Sequence, residues 1–211
     1  MANGTRRDEG DDVDLIVPFQ GLLRYERQVP VRQVSYYICG ELKEPEYYTE
    51  LFYTLRTASE TDLIYLHLNS PGGDFNTGLQ IINNIAASSA RVVTILEARA
   101  YSMAALIFLS GDELFVHDNC QLMFHTYSGV FAGKGNEQQA EVTAVARWFE
   151  KVMRRICTPF LTEEEVDRIL KGADCWMDSD EISRRLSRKA APSKARKPPA
   201  RKTRVTVSAK G

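Results

Sequence analysis

The stretch Leu63-Ile64-Tyr65-Leu66-His67-Leu68-Asn69-Ser70-Pro71-Gly72-Gly73 constrains the fold more than any other part of the chain. Its first six residues read as a strand, and the run stops at Asn-Ser-Pro-Gly-Gly. Leu79, Ile82, Ile85 and Ala86 then mark one face of a helix. A buried strand joined to a helix by so tight a turn is the unit from which α/β domains are built. The turn has two readings. It is only a turn, or it exposes backbone N–H groups where an anion sits, because glycine allows conformations and close approaches that other residues do not.

The same alternation runs through the rest of the chain. Gln33–Cys39, the β-branched run Arg91–Leu96, Leu114–Val116 and Gln121–Phe124 read as strands. Tyr47, Leu51 and Leu55 set a helix over Glu46–Thr57, with Pro45 in its first turn. Met103–Leu109 is apolar throughout, which predicts a helix buried on all sides. Val142, Val145, Phe149, Val152, Ile156 and Phe160 recur every three or four residues and predict a long helix, roughly Asn136 to Pro159. Thr162 and Glu165 form a capping box for a short helix closed by Gly172, and Ser179-Asp180-Glu181-Ile182 starts a last one. No internal repeat is evident.

Charge divides the chain of 211 residues unevenly. Ser187–Gly211 carries nine of the 27 Lys and Arg and no acid, leaving 18 basic against 28 acidic residues before it. The expectation is therefore a disordered N-terminus over residues 1–14, one folded domain over 15–186, and a basic disordered tail over 187–211. Such a tail suits a polyanion partner. No run reaches ~18 apolar residues, so no membrane span is expected. The polar start MANGTRRDEGDDVD reads as no signal peptide. Scattered Cys39, Cys120, Cys157 and Cys175, none in a C-x-x-C pair, then fit reduced thiols in the cytoplasm and no metal site.

Two further segments carry chemistry beside the glycine turn. In Ala100-Tyr101-Ser102-Met103-Ala104-Ala105 a serine stands between a strand and a buried helix. In Leu122-Met123-Phe124-His125-Thr126 a histidine ends an apolar strand. A serine at a helix start meets unpaired N–H groups that favour a developing anion, and a strand-end histidine is placed to take its proton. Each piece also has a bland reading. Ser102 is an N-cap, His125 is a structural residue with His67 and His117 as competitors, and Asp174 is one acid among 28.

Together these pieces resemble the ClpP family of serine peptidases. The family's N-S-P-G-G signature stands at Asn69–Gly73 with its following glycine at Gly78. Its nucleophile segment appears as Tyr101-Ser102-Met103-Ala104-Ala105 and its M-x-H motif as Met123-Phe124-His125. The frame Ala173–Ile182 aligns its third residue with Asp174. The resemblance covers roughly Gln33 to Leu186. It implies an α/β, ClpP/crotonase-like fold of repeated β-β-α units with a protruding handle helix. It also implies a Ser102–His125–Asp174 triad, an oxyanion hole from the N–H groups of Gly73 and Met103, and no cofactor or metal. As partners it implies peptide or unfolded protein, further copies in stacked heptameric rings joined through the long helix, and a Clp-type ATPase. Departures are Tyr101, expected to narrow the substrate groove, Ala104 in place of a glycine, a poor match over Leu15 to Gln33, and the basic tail. The last two suggest an atypical, phage-type member. Three other readings stay open: a crotonase-type thioester enzyme, a signal-peptide-peptidase-like phage head protease using Lys134 or Lys151, and an inactive scaffold whose tail binds polyanions.

Overall fold

The computed structural model describes residues 31–190. The disorder expected over 1–14 and along the tail lies outside the described residues, except that Ser187–Ala190 are helical. In chain order the elements are β1 (Gln33–Cys39), a 3-10 turn (Pro45–Tyr48), α1 (Thr49–Thr57), β2 (Leu63–Ser70), α2 (Phe75–Ala87), β3 (Arg91–Tyr101), α3 (Met103–Leu109), β4 (Glu113–Val116), β5 (Gln121–Phe124), α4 (Gly135–Cys157), α5 (Glu163–Leu170), β6 (Cys175–Asp178) and α6 (Ser179–Ala190).

The six strands form one sheet of order β1-β2-β3-β5-β6, with β4 pairing the early part of β3 and β5 its end. All pairings are parallel except β5 with β6. Parallel neighbours need helical crossovers, and α1 and α2 supply them. The helices gather on one face. Ile38, Ile64, Leu66, Leu68, Val92, Leu96, Ala100, Leu122, Phe124 and Met177 point into the core there, at alternate positions along their strands.

All seven residues of α3 are buried, as their composition predicts. A fully buried large apolar side chain such as Phe108 is worth about 1.5–3 kcal/mol. This is why the helix after Ser102 is held firmly.

Among the described residues nothing covers the opposite face of the sheet. Tyr37 and Phe115 are 68% and 52% exposed, and Trp176 is 53% exposed. The long helix α4 also divides in two. It buries nothing before Phe149, and Val142 and Trp148 remain exposed.

Three details differ from the sequence expectations. The helix expected from Glu46 begins as a 3-10 turn, and regular α-helix starts at Thr49. On α2, Ile81 is buried where Ala86 was expected. Strand β6, only four residues long, falls in a segment whose alternation is too short to register.

Candidate active site

Parallel strands end together, and loops at their carboxyl ends form the crevice of an α/β sheet. Gly72 and Gly73 follow β2, Ser102 follows β3 and His125 follows β5. Gly73, Ser102, Met103 and His125 line one cavity of about 70 Å³, with Phe75, Leu106, Thr126, Tyr127, Ser128 and Phe149 completing it.

Ser102 occupies the N-cap position of α3, yet its hydroxyl makes no capping hydrogen bond. The bland reading is therefore not met. Its backbone stands at φ 55°, the one positive φ among the described non-glycine residues. Its N–H donates to Met123 O at 2.8 Å, which ties the residue to β5 beside His125.

The glycine turn lies against this serine. A Cβ on Gly72 would stand 2.7 Å from Tyr101 O and 2.8 Å from Ser102 Cβ, so only glycine permits that approach. Gly73 bridges Leu42: Leu42 N–H donates to Gly72 O at 2.8 Å, and Asp74 N–H to Leu42 O at 3.1 Å. Those bonds use the groups on either side of Gly73. Its own N–H makes no hydrogen bond among the described residues, and neither does that of Met103. Gly78, one turn into α2, leaves the space that the Met103 side chain fills. Asp74 caps α2 by accepting from Thr77 N–H at 2.6 Å, which fixes the helix that follows the turn.

Asp174 stands apart. It is exposed, does not line the cavity, and makes no hydrogen bond to His125 among the described residues. Nor is Ser102 hydrogen-bonded to His125. The antiparallel register nevertheless pairs Phe124 with Cys175. His125 and Asp174 are the chain neighbours just beyond this last pair.

The competing groups are elsewhere. His67 Nδ1 lies 2.6 Å from Glu97 Oε1, and His117 Nε2 lies 3.5 Å from Glu97 Oε2. Both rings belong to the open sheet face, stacked on Tyr37 and edge-on to Phe115. Lys134 and Lys151 are exposed and line no part of the cavity. Burial pushes the thiols of Cys120 and Cys175 up, and that of Cys157 to about 12, so none is primed as a nucleophile.

The two departures flanking Ser102 do not enter the cavity. Tyr101 turns to the open face, where its hydroxyl donates to Gln121 Oε1 at 2.6 Å and its ring meets Trp176 edge-on at 5.2 Å. Tyr101 thus does not line this cavity. Ala104 is fully buried in the core. Phe75, Leu106, Tyr127 and Phe149 escaped the sequence reading because four separate elements bring them together, with no motif to signal it.

The family model for Clp protease matches residues 32–184. The ATP-dependent Clp protease proteolytic subunit of Lactococcus lactis subsp. cremoris (strain SK11) is 32% identical over 133 residues, 60% of this chain and 66% of that protein. Those of Streptococcus uberis (strain ATCC BAA-854 / 0140J) and Streptococcus mutans serotype c (strain ATCC 700610 / UA159) are 31% and 30% identical over 134 residues, each match covering 60% of this chain and 67% of the relative. The chain thus spans about two thirds of the length of these relatives.

Proposed function

The chain belongs to the Clp protease family, and from that premise we propose that it is a serine endopeptidase. Ser102 is the nucleophile, His125 the general base and acid, and Asp174 the residue that orients His125. The N–H groups of Gly73 and Met103 form the oxyanion hole. The observation that carries this reading is the uncapped Ser102 hydroxyl, held at a positive φ on a cavity shared with His125 and with two backbone N–H groups that make no hydrogen bond among the described residues.

In the proposed reaction Ser102 Oγ attacks the substrate carbonyl carbon while its proton passes to His125. The carbonyl oxygen gains the negative charge between Gly73 and Met103. His125 then returns the proton to the departing amine, and water releases the acyl group by the same path. For this role the Asp174 carboxylate has to turn toward His125; support comes from the β5–β6 pairing, which ends at Phe124 and Cys175, the chain neighbours of the two residues.

We place this chemistry inside an assembly of copies. A parallel sheet is almost always covered on both faces, and here one face is open and bears Tyr37, Phe115 and Trp176. The first turns of α4 likewise bury no residue among the described ones. Copies covering these two surfaces, as stacked rings joined through α4, would enclose the site. The relatives are named as the proteolytic subunits of an ATP-dependent protease; for this chain a separate Clp-type ATPase is proposed as the source of unfolded substrate. Cytoplasmic location belongs to the same proposal; among the described residues no helix is long and apolar enough to cross a membrane.

The test is covalent labelling with a fluorophosphonate, followed by peptide mapping. Label on Ser102 that disappears in His125→Ala is the expected result. Label on another residue, or none, would leave the family membership standing and remove the peptidase mechanism.

A further inference from the structure

The three residues proposed as the triad belong to three different strands. Ser102 follows β3, His125 follows β5 and Asp174 precedes β6. The ladders that align these strands are short. β3 meets β5 over three residue pairs, and β5 meets β6 over four. The bond from Ser102 N–H to Met123 O ties β3 to β5 at the site itself. Asp174 is exposed, so the direction of its carboxylate depends on where β6 lies.

Side chains add to these ladders on the open face. Tyr101, Met123 and Trp176 form one row across the three strands, through the pairs Tyr101–Met123 and Met123–Trp176. Ala100, Leu122 and Met177 beside them are buried, so alternation sends the row to the open face. Backbones two strands apart are separated by about 10 Å. The ring centroids of Tyr101 and Trp176 nevertheless stand 5.2 Å apart, at 72° between planes. The two rings lean toward each other across Met123 and meet edge-on, a geometry aromatic pairs favour. The Tyr101 hydroxyl reaches β5 as well, donating to Gln121 Oε1 at 2.6 Å. The Arg99 guanidinium carbon lies 5.7 Å from the Tyr101 ring centroid, within range of cation–π attraction. One side chain thus touches β3, β5 and β6, and it belongs to the residue directly before Ser102. Trp176 stays half-exposed, so the contact adds little to the core. Its effect is to fix β6 relative to β3.

We propose that Tyr101 is a positioning residue: by bracing Trp176 and Gln121 it holds β3, β5 and β6 in one arrangement, and so sets Asp174 where its carboxylate turns to His125. The proposal rests on the peptidase reading of the same site.

The experiment follows fluorophosphonate labelling of Ser102 in the full chain, with reagent in excess, so that the rate constant does not depend on the folded fraction. Asp174→Asn sets the reference and should slow labelling by up to about 10⁴-fold. Tyr101→Ala and Trp176→Ala should each slow it by about 10- to 100-fold, the scale on which a misplacement of ~1 Å lowers a rate. Trp176→Ala leaves the neighbour of Ser102 untouched, and serves if Tyr101→Ala folds poorly. Tyr101→Phe keeps the ring on Trp176 and should lie closer to the natural chain than to Tyr101→Ala. The deciding measurement repeats both alanine variants in the Asp174→Asn background. Neither should slow labelling further there, because the carboxylate they position is gone; a double-mutant cycle isolates that coupling. A general loosening of the fold would slow both backgrounds alike. Equal fold-losses in the two backgrounds, or an unchanged rate in either alanine variant, overturn the positioning role and leave the peptidase reading intact. Asp174→Asn labelled as fast as the natural chain overturns the positioning role together with the part of Asp174, and leaves Ser102 as nucleophile. No label on Ser102 in the natural chain removes the peptidase reading and this proposal with it.

Discussion

A residue other than glycine held at φ 55° costs on the order of 1–3 kcal/mol, and such strain persists only where surrounding bonds fix it. At Ser102 the bond to Met123 O and the buried α3 do so. Two outcomes follow at this position. Ser102→Ala should lose about 10⁶-fold in turnover, with its melting temperature near that of the natural chain. Ser102→Gly should be equally inactive but melt higher than Ser102→Ala, because glycine adopts positive φ freely; calorimetry of the pair reads this, and equal melting would deny the strain. Among the histidines, alanine at 125 should abolish activity, whereas alanine at 67 or 117 should spare the chemistry, since those rings pair with Glu97 on the far face. Equal losses in all three would make histidine placement structural. Gly73→Ala should lower both activity and stability, because the new Cβ would stand 2.5 Å from Leu42 O and 2.7 Å from Leu42 N. An activity loss with unchanged melting would mean the turn relaxes around the methyl. Most of these residues were legible in the sequence because short motifs carry them: the glycine turn, the serine before an apolar helix and the strand-end histidine. The cavity's aromatic lining was not, because Phe75, Tyr127 and Phe149 meet only in three dimensions.

Between elements, the junction of α5 with α6 shows how capping and ion pairing combine. Glu165 accepts from Thr162 N–H at 2.9 Å as half of the capping box of α5. It also accepts two bonds of 2.7 Å from the Arg185 guanidinium on α6. Arg185 donates as well to Phe160 O, between α4 and α5. Chiefly through the Arg185 bonds, and opposed by partial burial, the Glu165 carboxyl is drawn down to about 2. A lowered folded-state pKa means stability that is fully present above the ordinary glutamate range and lost as pH falls through about 2. Melting temperature should therefore fall between about pH 5 and pH 2. Glu165→Gln should melt lower than the natural chain at pH 7, by up to about 3 kcal/mol of stability, with the gap closing as pH approaches 2. A gap constant with pH would assign the loss to packing instead. The capping box was readable from Thr162 and Glu165 alone, but its second role was not, since Arg185 lies 20 residues further along. Strand β6 was hidden for a related reason: four residues gain strand character from pairing with β5, not from their own pattern.

Over the whole molecule the charge is separated. The 28 acids all precede Ser187, where only 18 of the basic residues lie, and the chain after it is purely basic. Helix α6 continues to Ala190, so the expected boundary at Leu186 falls inside a helix and would cut it short. A truncation that respects the fold ends after Ala190 and removes seven of the nine terminal cations. The proposed partner of these cations is a polyanion, because each phosphate neutralised releases counterions, with a slope of about −0.9 in log K against log salt per contact on duplex DNA. Seven contacts would give at most about −6. The acidic body opposes this, since about ten excess negative charges repel the same polyanion at distances within a Debye length of about 10 Å at 0.1 M salt. Net binding is thus expected to be weak at physiological salt and visible only below it. The full chain should retard duplex DNA at low salt and release it steeply as salt rises, and the chain truncated after Ala190 should not bind at all. Truncation should leave the Ser102 labelling rate unchanged, because the cavity draws on no residue after Phe149. Equal retardation of both chains, or none of either, would remove nucleic acid as the tail's partner.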